Sequence, residues 1–434
     1  MIRAATLIRK SIDSINRKYI LTKFSLCLVL FIDSFCIGCI MPSLADLLLN
    51  PEKSFLKIQT SLLLRHFYYN LAISLPTIFV CMGALILGAL SDLIGRKMVL
   101  LIGLLGVAIA CLFSAIGVKT HNIILFLIGR VLMGIMDGNE AVAQACMADL
   151  SNNKEKAINM SYVSLAISLG FILGPLASTI LNRIRQPFFL MEPSLPFYMS
   201  TLILFFGFIF ILCFLKIPKT QRRNNQKKIV SNFIQACLIA IKSRQLRSMI
   251  SILFCIQVAW GIYFQSASAY FVNVFIPPPV AISFFFLVMA FTFALTFTIL
   301  IRVAMQYLSS NYLIIVGLVS IILSASILIM AKNYHTFYYA CIMIAIGVGI
   351  SSNTILVLIS NATDQSAQGQ IIGLTLSFTS AGWLIALILS SIFSANYSFC
   401  FILMMAFCVC AFYQLLKYIK TAKSFQLIIN RNSS

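Results

Sequence analysis

The sequence predicts an all-α integral membrane protein, with about 12 transmembrane helices in two six-helix bundles and both termini on the cytoplasmic side. Three observations carry that prediction. The 434 residues are 61% hydrophobic and only 10% charged, with a mean hydropathy of +0.99, which leaves too little polar surface to wet a soluble domain. Apolar runs of roughly 18 residues or more recur along the whole chain, and that is the length a helix needs to cross the hydrocarbon core. The basic residues behind the net charge of +21 fall in short clusters between those runs, so they read as topology signals and argue against a nucleic-acid surface.

Taken in order, residues 1–19 form a basic cytoplasmic segment ahead of the first span, 20–43. That span outlasts the apolar core of a cleavable leader and is followed by many like it, so it reads as an uncleaved first helix. Spans at 67–90, 98–118, 122–149, 157–181 and 197–215 complete an N-terminal bundle over 20–215. The one long hydrophilic stretch, 216–247, carries nine Lys and Arg and divides the spans six and six as a basic linker. Spans at 248–275, 280–302, 311–331, 335–359, 369–393 and 396–417 make a C-terminal bundle over 248–417, and 418–434 is a cytoplasmic tail. With the N-terminus inside, the cytoplasmic segments hold roughly 24 of the 32 Lys and Arg, as the positive-inside rule requires.

The chemistry-bearing residues stand out against this apolar background. Residues 129–144 read GRVLMGIMDGNEAVAQ, and at 100° per residue Arg130, Asp137, Glu140 and Gln144 lie within about 80° of one another. Each charge at the bilayer centre costs about 2.5–3.5 kcal/mol, so the stripe has to face a wet cavity or a partner. Two carboxyls three residues apart on one helix face can share a proton or receive a cation. Asp33 lies about 13 residues into the first helix, roughly 20 Å from its cytoplasmic end, too deep to snorkel easily. In the seventh span, QVAWGIYFQSASAYFVNVF, Gln257, Gly261, Gln265 and Ser268 repeat at helical spacing beside Trp260, Tyr263 and Tyr270, a pattern suited to a cavity wall that stacks on and hydrogen-bonds an organic ligand. His66, His121 and His335 lie near loop edges with no metal-ligand spacing and read as ordinary interface residues. The 13 cysteines are scattered singly, mostly inside apolar runs, so they behave as small hydrophobes and imply neither disulfides nor a metal site.

Between the second and third spans the chain reads GALSDLIGRKMVL, residues 88–100. This is a tight cytoplasmic turn: Gly88 and Gly95 permit close helix approach, while Asp92 can pair with Arg96 or Lys97 or cap the next helix. GALSDLIGRK resembles the loop signature of the major facilitator superfamily, G-x-L-x-D-r-x-G-R-[KR]. DSFCIGCIMPSLADLL in the first span, GR and MADL flanking the fourth, GFILGP in the fifth and DQSAQGQIIG near 364–373 follow in the family's order. Together they resemble the twelve-helix drug/proton antiporter branch, and its tetracycline-efflux members most. The resemblance implies that Asp92, Gly95 and Arg96 form a cytoplasmic gate latch, that Asp33 matches an acidic position of the first helix, and that Arg130 is the fourth-helix arginine of proton-coupled members. It also implies that Gly170, Gly174 and Pro175 are the fifth-helix glycine-proline motif of antiporters, that Asp33 and Arg130 pair or exchange partners, and that Asn353 faces the same cavity. The chain departs from the pattern in three places. Cys111 stands where tetracycline-efflux members have an acid, Asp137 and Glu140 stand where the family is small and weakly polar, and RVAMQYLSSN has lost the glycine and basic pair of the second loop motif.

The expected activity is secondary transport of a small organic molecule by alternating access, most simply proton-coupled efflux, by a monomer in a cell membrane such as a bacterial inner membrane. Its partners are then the substrate, protons and the lipid bilayer; no cofactor, metal or nucleic acid is implied. The same fold permits proton-coupled import of a nutrient, metabolite or siderophore. A channel or non-transporting receptor fits the latch motif less well, and no nucleophile-base set, metal cluster or nucleotide motif suggests an enzyme.

Overall fold

The computed structural model describes residues 2–50, 54–150, 156–185, 194–215, 243–275, 279–363, 368–394 and 396–432. Among these it is helical throughout, with short turns between elements. The N-terminal half runs α1 (Ile2–Leu48), α2 (Leu62–Ile94), α3 (Arg96–Lys119), α4 (Ile123–Asp137), α5 (Asn139–Asp149), α6 (Lys156–Arg185) and α7 (Leu195–Phe214). The C-terminal half runs α8 (Arg244–Phe275), α9 (Pro279–Leu295), a π-helical turn (Thr296–Leu300), α10 (Ile301–Tyr307), α11 (Ser310–Ile329), α12 (Tyr334–Asn361), α13 (Gln368–Ile392) and α14 (Tyr397–Asn432). Ten of the helices are long and apolar enough to cross a membrane. The remaining two expected spans correspond to α4 with α5 and to α6, whose apolar core is the shorter Leu165–Ser178.

Helix ends are fixed by ordinary local chemistry. The Asn122 side chain accepts from the backbone N–H groups of Ile124 and Leu125, both at 3.1 Å, and so starts α4. Asn333 does the same for α12 through Thr336 at 3.0 Å. Such caps satisfy donors that a helix terminus leaves without an intrahelical partner. Gly95, with φ of 97°, makes the turn from α2 into α3, a left-handed conformation that costs side-chain-bearing residues steric strain.

The fourth span departs from the continuous 122–149 helix that the sequence suggests. It stops at Asp137 and restarts at Asn139. The cause is tertiary: a Cβ on Gly138 would lie 2.2 Å from the Gly83 carbonyl carbon, and a Cβ on Gly83 would lie 2.0 Å from the Ile135 oxygen. α2 and α4 therefore cross backbone to backbone at this level, the close approach that small residues allow between membrane helices. Asn139, fully buried, is fixed on the other side by its Nδ2 donating to the Leu100 carbonyl of α3 at 3.3 Å.

The chain packs as two compact units: Met1–Met41 with Met82–Asn225, and Pro42–Cys81 with Gln226–Ser434. The division passes through α1 and α2. The first unit holds most of α1, the second half of α2 and α3 to α7; the second holds the Pro42–Leu48 end of α1, the first half of α2 and α8 to α14. The basic linker lies largely outside the described residues, at 216–242.

Candidate transport site

In the first unit, α6 lies tightly against α1 around Asp33. A Cβ on Gly170 would meet the Phe31 oxygen at 2.6 Å, and one on Gly174 the Phe35 oxygen at 2.5 Å, while Gly38 faces the Pro175 ring at 3.0 Å. The glycine-proline motif thus works as a packing surface that brings two backbones together. Asp33 sits in the turn of α1 so enclosed, 4% exposed, and neither carboxyl oxygen has a hydrogen-bond partner. A buried carboxyl without a partner is costly.

α3 and α4 pack by the same device. A Cβ on Gly129 would lie 2.4 Å from the Ser114 hydroxyl and one on Gly106 2.4 Å from Met136 Cγ. Arg130 follows Gly129, is 1% exposed and sends one guanidinium nitrogen to the Met133 sulfur at 3.2 Å. Asp137 and Glu140 flank the α4–α5 break, half-buried, and Gln144 donates to the Glu140 carboxyl at 2.9 Å one turn along. The carboxyls of Asp137 and Glu140 act electrostatically on Asp33, and Asp137 and Cys111 on Arg130. Three acids, one arginine and the thiols of Cys36, Cys39 and Cys111 therefore share the interior of this unit among the described residues. Asp33 and Arg130 do not hydrogen-bond to each other: the pairing that the resemblance implies is absent because both Asp33 oxygens stand alone.

At the cytoplasmic turn, Arg96 donates to the Ser91 hydroxyl at 2.7 Å and pairs with Asp149 at the end of α5 at 3.3 Å. Lys97 donates to the Leu212 carbonyl at 2.9 Å and so caps the end of α7. The basic pair ties the turn to α5 and α7, partners that lie 53 and 115 residues away and that spacing alone could not supply. Asp92 is in α2, with its side chain outside the described set. Gly88 and Gly95 differ from expectation: a Cβ at either would meet nothing within 4 Å, so no close helix approach depends on them, and Gly95 is required by its positive φ instead.

In the second unit, Trp260 of α8 is the hub of an aromatic group, stacked on Tyr263 at 5.7 Å, with Phe264 and Phe293 each at 5.3 Å; Phe264 in turn meets Trp383 of α13 at 5.7 Å. Gln265 is fully buried with both amide atoms unpaired. Gln257 is half-buried where α8 passes Gly382 of α13, 3.2 Å from a Cβ built there. Asn353 is half-buried on α12 beside the unpaired Ser352 hydroxyl. The sequence passed over a second polar face of this unit, on the first half of α2, where His66, Tyr69 and Asn70 are all buried and hydrogen-bonded to α8, α13 or α14. Its signal was present as polar residues at helical spacing, but a stripe on one helix does not name its partners.

No group of three or more His, Cys, Asp or Glu able to hold a metal ion occurs among the described residues.

The Major Facilitator Superfamily model matches residues 26–387. The human major facilitator superfamily domain-containing protein 10 is 35% identical over 142 residues, 33% of this chain and 28% of that protein. The class C tetracycline resistance protein of Escherichia coli is 33% identical over 153 residues, 35% of this chain and 36% of that protein. The matched segments thus span about a third of these relatives. Among solved structures, the human organic anion transporter of the same domain-containing-protein-10 name aligns over 92% of this chain and 99% of its own, with a TM-score of 0.65 at 16% identity. A D-xylose-proton symporter aligns over 91% and 96%, with a TM-score of 0.69 at 15% identity. At such identities the structural likeness is one of fold. With a family model over residues 26–387 and, among its described residues, ten helices long and apolar enough to cross a membrane, this chain is a multi-pass membrane protein of the Major Facilitator Superfamily.

Proposed function

We propose that this transporter exports a small organic molecule from a cell in exchange for protons, working as a monomer by alternating access. The observation that carries the reading is Asp33: a carboxyl enclosed between α1 and α6 with both oxygens unpartnered, in electrostatic reach of Asp137 and Glu140. A proton on any of these acids changes the charge of a poorly solvated site, and so changes the relative energies of the inward- and outward-open states. Arg130 supplies the one positive charge of that interior, and Gln144 holds Glu140. Gln257, Trp260, Gln265 and Asn353 form the organic face of the substrate path. Asp92, Gly95, Arg96 and Lys97 latch the cytoplasmic side, and Gly170, Gly174 and Pro175 hold α6 on α1. The relatives named for tetracycline resistance favour export over import.

The test is accumulation of a panel of tetracyclines, amphenicols, cationic dyes and siderophores in an efflux-deficient bacterial host, with and without the protein and an uncoupler. Export predicts lower accumulation of at least one compound, restored by the uncoupler and by Asp33→Asn. Higher accumulation makes the protein an importer, and no change across the panel removes the drug-efflux reading.

A further inference from the structure

The first half of α2 is bound into the second unit by a polar stripe. His66, Tyr69, Asn70, Thr77 and Cys81 lie within about 120° of one another on the helix. Tyr69 and Ser268 share a hydroxyl–hydroxyl bond. Asn70 donates to the Ser391 hydroxyl at 3.2 Å, the Ser380 hydroxyl donates to the Thr77 carbonyl at 3.2 Å, and the Cys81 thiol meets the Ser377 hydroxyl at 3.2 Å. In the N-in orientation this half of α2 is the outer end of the second span, and the stripe seals it against α8, α13 and α14. Such a seam exchanges its bonds for water when it parts and gains only modest net energy when it forms, which suits a closure that must open in every cycle.

His66 is the one group of the stripe that titrates between pH 5 and 8 in its ordinary form. Its ring is 2% exposed. Its Nε2 receives Asn273 Nδ2 of α8 and the Tyr397 hydroxyl of α14, each at 3.2 Å, while the same Asn273 amide also donates to the Tyr397 oxygen at 2.8 Å. That triangle needs Nε2 as an acceptor, because an amide N–H can only donate. A proton arriving at Nε2 removes the acceptor: the Tyr397 hydroxyl can turn to accept from Nε2–H, but the Asn273 N–H is left facing a donor. The titratable groups around it are Tyr397, Tyr69 one turn along α2, and Tyr270 of α8, whose ring lies 5.3 Å from that of Tyr397. Of the formal charges, Arg65 beside it in the chain is turned to the loop carbonyls of Thr60 and Lys57, at 3.2 and 2.9 Å; Asp46 of α1, Lys57 and Lys332 belong to segments of the same unit. No carboxylate among the described residues acts on the imidazole.

We propose that His66 is a proton-operated lock on the outer closure: a proton taken from the outside medium onto Nε2 breaks its bond with the Asn273 amide of α8, loosens the outer end of α2 and favours the outward-open state. This rests on the alternating-access reading above and adds a second proton-binding residue, outside the acidic cluster, that ties opening to outside acidity.

The test is the distance between spin labels at Ile58→Cys and Met330→Cys, on opposite sides of the seam and both exposed, in the full-length protein in lipid nanodiscs. Cys27, Cys213 and Cys410, which are not buried, are replaced by serine, as is Cys237. The lock predicts a short distance at about pH 8 and a growing long-distance population at about pH 5.5. His66→Gln, which keeps an acceptor where Nε2 stands but does not titrate, is predicted to hold the short distance at both. Asn273→Ala is predicted to show the long population already at about pH 8. Persistence of the acid response in His66→Gln overturns the lock, as does a seam that Asn273→Ala opens and acid does not. If neither acid nor Asn273→Ala moves the distance, the moving closure itself is wrong, and alternating access with it.

Discussion

Asp33 is legible in the sequence as an acid too deep to reach water, yet its partner is not. The family resemblance suggests Arg130; the structure leaves both oxygens unpaired and sets Asp137 and Glu140 within electrostatic reach instead. Helical periodicity gathers Arg130, Asp137, Glu140 and Gln144 on one stripe because it depends only on spacing along one chain. Which stripe faces which depends on α4 packing on α3 through Gly129 and on α6 packing on α1 through Gly170 and Gly174, and a single sequence does not carry that. His66 was read as an edge residue for the same reason: its neighbours Asn273 and Tyr397 are 207 and 331 residues away. At this scale the prediction is that Asp137→Asn and Glu140→Gln each lower transport about tenfold or more, the equivalent of one lost interaction of about 1.4 kcal/mol, while Gln144→Ala lowers it less. Initial rates at matched membrane expression measure this; a wild-type rate in Asp137→Asn would remove that residue from the site.

Helices show where the sequence speaks and where it is silent. Apolar runs found the spans, since each must be long and apolar enough to cross by itself. The break at Gly138 was hidden because one glycine inside a periodic run gives no local stop signal; it follows from the Gly83 backbone lying where a Cβ would be. Contact geometry also ranks the glycines, which the motif alone treats alike. Gly174→Val places atoms where the Phe35 carbonyl already is and is predicted to cost about 1–3 kcal/mol as overpacking. Gly95→Ala strains a φ of 97° and costs about 1–2 kcal/mol. Gly88→Ala meets open space and is predicted to be neutral. Thermal unfolding of the three variants in one detergent gives the order; a Gly88→Ala protein as unstable as Gly174→Val would contradict it.

On the scale of the molecule, the charge distribution sets the orientation, and packing groups segments that the chain order separates. Covalent order divides the chain at its basic linker, whereas packing joins 42–81 to the C-terminal half; hydropathy cannot see this, because it marks where a span lies and not what the span packs against. The central claim is that proton exchange at the acidic cluster drives the substrate the opposite way. The most direct measurement is uptake of a compound identified by the accumulation panel into liposomes holding the purified protein, with a pH gradient imposed in either direction and with Asp33→Asn in parallel. Antiport predicts uptake when the interior is the more acidic side, and an Asp33→Asn protein that still exchanges labelled for unlabelled substrate but no longer responds to the gradient. Uptake driven by an acidic bath, or a wild-type protein indifferent to the gradient, would contradict it.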